Sequence, residues 1–145
     1  MTAFLLDVNV LIALMWPAHE GHKQVQQWFS QNAGKGWATC PFTQAAFVRI
    51  VSNPAFSRDA VTLREALKML ETNVRHVAHQ FWIDEIGLVE GARPFTEQLV
   101  GHQQVTDAYL LGLVMHKKGK LATMDRAVLE LLPERSAERV LVALV

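Results

Sequence analysis

The chain has 145 residues, a length that fits one domain with a substantial hydrophobic core. Half of the residues are hydrophobic and 19% are charged, which argues against intrinsic disorder, and the fourteen basic and fourteen acidic residues cancel, which counts mildly against a polyanion partner. The longest apolar runs are shorter than the roughly 20 residues of a membrane-spanning helix. Since no basic stretch precedes an apolar one at the N-terminus, we expect no secretory signal and a cytoplasmic protein.

In the first half of the chain, hydrophobic periodicity predicts two strands and four helices. The apolar run over residues 3–7 is typical of a buried strand, and the following residues predict a short helix that Pro17 ends. Two later helices are expected to begin at Thr43, a good N-cap residue, and at Asp59, the second with Leu63, Ala66, Leu67 and Leu70 facing the core. The remaining predicted elements here are a helix over 20–32 and a strand over 37–40.

The second half of the chain continues the alternation of strands and helices. Strands are predicted over 77–81, 121–124 and 139–145, and helices over 106–116 and 126–132, the last closed by Pro133. The segment 84–100 has no clear pattern. Such alternation indicates an α/β fold, a mostly parallel central sheet of about five strands flanked by helices.

Three aspartates occupy comparable positions in this pattern. Asp7 ends the first strand, Asp125 follows a later strand, and Asp107 lies in the first turn of the most apolar helix. Each alone is more often a helix cap than a ligand. In an open parallel sheet, however, the carboxyl ends of the strands meet at one edge, where ligands bind.

Carboxylates that converge at this edge would repel one another. Each pair costs about 4 kcal/mol at about 4 Å and an effective dielectric constant near 20, and a bound cation removes this cost. Oxygen ligands without a nearby Cys/His cluster favour Mg²⁺ or Mn²⁺ over zinc. We expect the lone Cys40 to be a small buried hydrophobe, and His19 and His22 to lie at a helix N-terminus rather than bind metal.

Four segments of the chain resemble, in order, the motifs of PIN-domain ribonucleases, and most of all those of the VapC toxins of type II toxin–antitoxin pairs. They are DVNVL at 7–11, TCPFTQAAFVR at 39–49, VTDAYLL at 105–111 and LATMDR at 121–126. Each motif is short, but together they span nearly the whole chain. The resemblance implies a single PIN-like domain over residues 1–145.

The resemblance also implies an activity. A Mg²⁺ or Mn²⁺ ion held by Asp7, Asp107 and Asp125 would activate water for hydrolysis of an RNA phosphodiester, leaving a 5′-phosphate and a 3′-hydroxyl. A cognate antitoxin would neutralise the toxin, typically by placing a basic side chain in the acidic cleft. A homodimer is expected from the family.

Other residues are candidates for supporting roles. Gln44 stands where the family usually has a glutamate, so the site has three carboxylates rather than four, and one well-held ion is the expected number. Asn9 and Thr123 are candidates to orient carboxylates or water, although turn and cap hydrogen bonds would explain them equally well. Five basic residues are candidate RNA contacts, with a solvated helix end as the ordinary alternative for the lysines: Arg49, Lys117, Lys118, Lys120 and Arg126.

Two alternatives to an active nuclease remain at this point. Gln44 is compatible with a catalytically weakened PIN domain that captures RNA or a protein without cutting. A phospho-accepting receiver-like domain is also α/β with an early aspartate. It fits poorly, because the resemblance to that class requires paired acidic residues after the first strand, whereas Val8 and Asn9 follow Asp7.

Overall fold

The computed structural model describes residues 2–132 and 141–144 and contains the predicted α/β architecture. Its central sheet has five strands in the order β3-β2-β1-β4-β5, and all four neighbouring pairs are parallel. The strands are β1 (Phe4–Leu6), β2 (Trp37–Thr39), β3 (His79–Phe81), β4 (Lys120–Thr123) and β5 (Leu141–Ala143). The prediction of about five mostly parallel strands is therefore confirmed. The predicted last strand is found over 141–143, while residues 139, 140 and 145 lie outside the described residues.

Six α-helices connect or flank these strands within the described ranges. They are α1 (Val8–Met15), α2 (His22–Asn32), α3 (Pro41–Val51), α4 (Leu63–Asn73), α5 (Leu88–Ala92) and α6 (Val105–Lys117). The segment without a clear sequence pattern forms α5 and the 3-10 turn Arg93–Gln98. The helix predicted over 126–132 is instead a 3-10 turn, Arg126–Leu131, and Pro133 lies outside the described residues. In this described part of the chain, no helix is long and apolar enough to span a membrane.

The sheet separates two hydrophobic layers because successive side chains of a strand point to opposite faces. Phe4 and Leu6 of β1 pack with residues of α1, α2, α3 and α4. Leu5, between them, packs on the other face with α6 and the turn after β4. Both faces are covered, which explains why β1 is a continuous apolar run rather than an alternating one.

The predicted start of α3 at Thr43 is wrong by two residues. The helix begins at Pro41, a residue suited to the first turn because its missing N–H has no partner to lose. Cys40 is the N-cap, and Thr43 lies inside the first turn, where its hydroxyl accepts the backbone N–H of Cys40 at 3.0 Å. A capping hydrogen bond in the reverse direction therefore explains Thr43. Cys40 is buried, as expected.

The prediction for α4 is wrong in its start and in half of its inward face. The N-cap is Thr62 rather than Asp59, and the Thr62 hydroxyl accepts the N–H of Glu65 at 3.1 Å. Ala66 and Leu70 are buried, but Leu63 is 63% and Leu67 57% exposed. These two leucines line an open groove of about 580 Å³ between α3 and α4 instead of the core.

The contact between α5 and α6 depends on Gly112. A Cβ atom added there would lie 2.1 Å from the carbonyl oxygen of Gly91, so any side chain would force the two helices apart. The α6 helix carries Asp107 and packs on the sheet through a fully buried face. Close packing at Gly112 therefore helps to fix the position of Asp107.

We expect Gly112→Ala to lower the free energy of unfolding by about 1–3 kcal/mol, because backbone atoms must move to admit the methyl group. Urea denaturation monitored by circular dichroism measures this loss. Gly34→Ala is the matched control, since a Cβ atom there has no neighbour within 4 Å. Equal stability of the two variants would contradict the close approach of α5 and α6.

Candidate metal centre

The site begins with the pairing of β1 and β4. Leu6 lies opposite Ala122, and the backbone N–H of Asp7 donates to the carbonyl of Ala122 at 2.9 Å. The next residues along the two strands, Asp7 and Thr123, are therefore brought side by side. The Thr123 hydroxyl donates to Asp7 Oδ2 at 2.7 Å, and Asp7 is only 5% exposed.

Asp7 is also the N-cap of α1. Its Oδ1 accepts the backbone N–H of Val8 at 2.8 Å, and the helix N-terminus stabilises the negative charge. The ordinary cap interpretation of this aspartate is thus correct, and it does not compete with a role in the site. Asp7 therefore directly follows β1, caps α1 and lies at the carboxyl edge of the sheet.

Asn9 ties this aspartate to the loop after β4. Its Nδ2 lies 3.3 Å from Thr123 Oγ1 and 3.5 Å from Asp7 Oδ2, while its Oδ1 accepts the N–H of Met124 at 3.0 Å. Thr123 Oγ1 also accepts the N–H of Asp125 at 3.1 Å. The contacts that would orient the Asp7 carboxylate are therefore the same as the turn hydrogen bonds of Asn9 and Thr123.

Asp125 and Asp107 reach this edge from other elements. Asp125 is exposed and caps the turn Arg126–Leu131, with its Oδ1 accepting the N–H of Ala127 at 2.9 Å. Asp107 is half-buried in the first turn of α6. Because α6 ends at Lys117, just before β4 begins at Lys120, its first turn lies at the opposite, carboxyl end of the sheet.

The environment of the site raises the pKa of two of these carboxylates. Burial raises the pKa of Asp107 to about 7, and the negative charges of Asp7 and Asp125 act in the same direction. Burial also raises the pKa of Asp7, against the hydrogen bonds from Thr123 and Val8, and the charge of Asp125 adds to the increase. The site therefore holds like charges at a cost that a cation would remove.

The donors fit a hard divalent cation in charge and in type, although their oxygens do not yet surround a single point. In residues 2–132 and 141–144, no three His, Cys, Asp or Glu side chains stand close enough to hold one ion. The capping bonds at Asp7 and Asp125 turn one oxygen of each carboxylate toward the backbone. The other oxygen of Asp7 accepts from the Thr123 hydroxyl, and carboxylate oxygens that keep a free lone pair can serve a hard cation.

Gln44 lies near the start of α3, which follows the carboxyl end of β2. Its Nε2 donates to Thr39 Oγ1 at 2.8 Å, and the same oxygen lies 2.8 Å from His79 Nε2. In the described part of the chain, Gln44 makes no side-chain hydrogen bond to the three aspartates. The sequence analysis gave no role to Thr39, although it begins the motif at 39–49, or to His79, since no motif links residues 40 positions apart.

Three of the five candidate RNA-contacting residues lie away from the acidic edge. Lys120 begins β4, at the amino end of the sheet, and Lys117 and Lys118 end α6 on the same side. The ten residues from Asp107 to Lys117 correspond to about 15 Å along a helix. Lys117 also pairs with Glu85 at 3.0 Å and lies 5.7 Å from the ring centroid of Trp82. The expected basic rim around the carboxylates is therefore wrong for these three lysines.

The two arginines lie closer to the site. Arg126 directly follows Asp125 and is exposed. Arg49 is exposed and lines the groove that also contains Gln44. It borders a second cavity, of about 480 Å³, with Thr106, the residue before Asp107.

Comparison with known proteins gives relatives along nearly the whole chain. Ribonuclease VapC38 of Mycobacterium tuberculosis strain H37Rv is 40% identical over 131 residues, which is 90% of this chain and 91% of the relative. Ribonuclease VapC39 of the same strain is 41% identical over 128 residues, covering 88% and 91%, and ribonuclease VapC44 is 33% identical over 124 residues, covering 86% and 87%. No family model matches the chain.

A solved structure has the same fold. The crystal structure of VapBC2 from Rickettsia felis, bound to a DNA fragment from their promoter, matches with a TM-score of 0.65 over 98% of both chains at 9% identity. At that identity the match concerns architecture alone. Relatives at about 40% identity over about nine-tenths of both chains show that the chain belongs to the VapC ribonuclease family of PIN-domain proteins.

Proposed function

We propose that the protein is a Mg²⁺- or Mn²⁺-dependent endoribonuclease toxin that hydrolyses RNA phosphodiester bonds in the cytoplasm. The observation that carries the proposal is that Asp7, Asp107 and Asp125 lie at the carboxyl edge of one parallel sheet. The raised pKa of Asp107, about 7, agrees with negative charges gathered there. The names of the relatives, all ribonucleases, point to the same chemistry. A receiver-like domain has no support, because the family is that of VapC proteins.

In this proposal the protein supplies a preorganised set of carboxylates. Asp7, Asp107 and Asp125 would hold the ion, and Thr123 and Asn9 keep the Asp7 carboxylate in one orientation through hydrogen bonds of 2.7 and 3.5 Å. When a divalent ion is bound, the chemistry it supplies is activation of water and neutralisation of charge on the phosphate. Orientation of Asp7 is set before any ligand arrives, since both its neighbours are part of the folded β1–β4 edge.

Arg49 and Arg126 are the proposed phosphate contacts. Both are exposed guanidinium groups, which bind phosphate oxygens in a bidentate manner. Arg126 adjoins Asp125 in sequence, and Arg49 borders both cavities beside the start of α3. The lysines of the α6 terminus lie at the opposite, amino end of the sheet and are not part of this proposed contact.

The proposed partners are a cognate VapB-like antitoxin and a second copy of the chain. Repelling carboxylates attract a basic side chain, so an antitoxin peptide that inserts one would neutralise the site. The groove between α3 and α4, with the exposed Leu63 and Leu67, offers an apolar surface that Gln44 and Arg49 also line. Exposed apolar residues such as Val89 and Met115 are compatible with a homodimer.

We expect Asp7→Asn to reduce RNA cleavage by about a hundredfold or more, since loss of a metal ligand costs at least as much as loss of a group behind one. A fluorogenic RNA substrate, with protein freed of antitoxin and supplied with Mg²⁺ or Mn²⁺, measures the rate. Asp59→Asn is the control with the same change of charge, because Asp59 is exposed in the loop before α4. Unchanged cleavage by Asp7→Asn, or none by the wild-type protein, would refute the proposal.

The pKa of Asp107 predicts how stability depends on pH without metal. The folded-state pKa of about 7 exceeds the ordinary value of 3.8, so the folded protein binds this proton more tightly and stability falls as the pH rises from about 4 to about 7. Because the carboxyl group is half-buried, solvent screening limits this loss to about 1–2 kcal/mol. Urea denaturation in EDTA, at about pH 5 and about pH 8, measures it, and Asp107→Asn removes the difference attributable to this group.

Metal binding should reverse that loss. Mn²⁺ at a hundred times its dissociation constant would add about 2.7 kcal/mol to the free energy of unfolding. The gain should be larger above pH 7 than at about pH 5, because the ion must displace the proton of Asp107 at the lower pH. Equal stability with Mn²⁺ and with EDTA would show that the carboxylates do not form a metal site.

A second candidate function, a weakened PIN domain that binds RNA or a partner without cutting, is favoured by one observation, the amide at position 44. Gln44→Glu distinguishes the two. If the protein is an active nuclease, the substitution should leave cleavage equal or lower, since the three aspartates already suffice. A large gain in the same cleavage assay would favour the binding module, and Gln24→Glu on the exposed face of α2 controls for added charge.

A further inference from the structure

A buried hydroxyl at the carboxyl end of β2 links Gln44 to the neighbouring strand. Thr39 is fully buried, and its Oγ1 lies 2.8 Å from Gln44 Nε2 and 2.8 Å from His79 Nε2. An amide NH₂ group can only donate, so Thr39 Oγ1 accepts from Gln44 Nε2, and the single hydroxyl proton of Thr39 is available to His79 Nε2. The direction of this chain of hydrogen bonds decides which end of the Gln44 amide is held.

The surroundings of His79 favour the same direction. Burial lowers the pKa of His79 against the effect of the Val74 backbone, and the nearby His76 acts in the same sense as burial, so the environment favours the neutral ring. A neutral imidazole has one N–H, and because Nε2 faces the Thr39 hydroxyl and accepts its proton, the ring proton is on Nδ1.

His76 Nδ1 takes no part in this set of hydrogen bonds, because it has other partners. That atom accepts the indole N–H of Trp37 at 3.2 Å and the backbone N–H of Ala78 at 3.0 Å. Trp37 also packs against the His79 ring at a tilt, with centroids 4.7 Å apart. The His79 ring is therefore held by contact with Trp37 on one side and by the hydrogen bond with Thr39 on another.

We propose that His79 and Thr39 are positioning residues that hold the Gln44 amide by its nitrogen, so that its carbonyl oxygen is the end available to the metal centre. The Thr39 hydroxyl donates to His79 Nε2 and accepts from Gln44 Nε2, which leaves Oε1 without a partner among the described residues. A carbonyl oxygen can accept from water or face a cation, whereas an NH₂ group turned toward the ion would repel it. The effect on the metal centre rests on the proposed function, whereas the hydrogen bonds among Gln44, Thr39 and His79 do not.

The chain of hydrogen bonds from Gln44 through Thr39 to His79, called the relay below, also explains why an amide suits position 44. A carboxylate at position 44 has no proton to donate, so it would need the single hydroxyl proton of Thr39. His79 Nε2 would then lose its donor and would have to carry a proton itself. A donating amide at position 44 and a neutral His79 ring that accepts at Nε2 therefore require each other.

The first test needs no activity and no metal. We expect ¹⁵N-histidine NMR of the wild-type protein near neutral pH to show His79 with a protonated Nδ1 and an unprotonated Nε2. In Gln44→Glu, Nε2 should become protonated, by a change of tautomer or by a rise in the pKa of His79. A protonated Nε2 in the wild-type protein, or no change in the variant, would overturn the relay.

A second test measures the consequence for the site. We expect Thr39→Val to lower kcat for RNA cleavage and the affinity for Mn²⁺ by about tenfold, as is usual for groups that orient a metal site from behind, with KM little changed. Thr39→Ser keeps the hydroxyl and should retain both. Equal Mn²⁺ affinity and kcat in Thr39→Val and wild-type protein would refute the positioning role. Absence of any cleavage by wild-type protein would instead count against the proposed function, while the NMR result would still decide the relay.

Discussion

The pairing of β1 with β4 is the constraint on which the candidate site depends. It brings Asp7 beside Thr123 although they are 116 residues apart in sequence, and the 2.7 Å hydrogen bond between them offsets part of the cost of burying a carboxylate. The same pairing places Asn9 against Met124, so the first turn of α1 and the loop after β4 are joined. Without this register, neither aspartate of the two strands would have a defined position.

The residues that cap a helix or turn after a strand are the same residues that lie at the candidate site. In a parallel sheet, a strand ends where the next helix begins, so a residue at that junction meets both free backbone N–H groups and the carboxyl edge. Asp7 serves α1 and Asp125 serves the turn Arg126–Leu131 in this way. The N–H groups partly compensate each negative charge, which allows repelling carboxylates to persist in a folded protein before an ion binds.

The sequence predicts what depends on local pattern. The apolar run before Asp7, the long helix that carries Asp107 and the strand before Asp125 are all identifiable, because burial on both faces gives continuous hydrophobic segments. The predicted inward face of α4 includes Leu63 and Leu67 since they share the spacing of Ala66 and Leu70, but periodicity does not reveal which face a neighbouring helix covers. The lysines around the start of β4 are predicted at the wrong edge, because residues that precede a strand lie at its amino end, whereas Asp125 follows the strand at its carboxyl end.

Contacts between distant segments explain what the sequence could not reveal at Gln44. Taken alone, the amide is a missing carboxylate, and it argues for a weakened site. With Thr39 and His79 beside it, the amide has a donor role that glutamate cannot fill. A fourth carboxylate would also add to the repulsion that helps to raise the pKa of Asp107 to about 7. A neutral residue at position 44 therefore lowers the electrostatic cost of the site before an ion binds, and an oriented carbonyl oxygen can still serve a cation once one is bound.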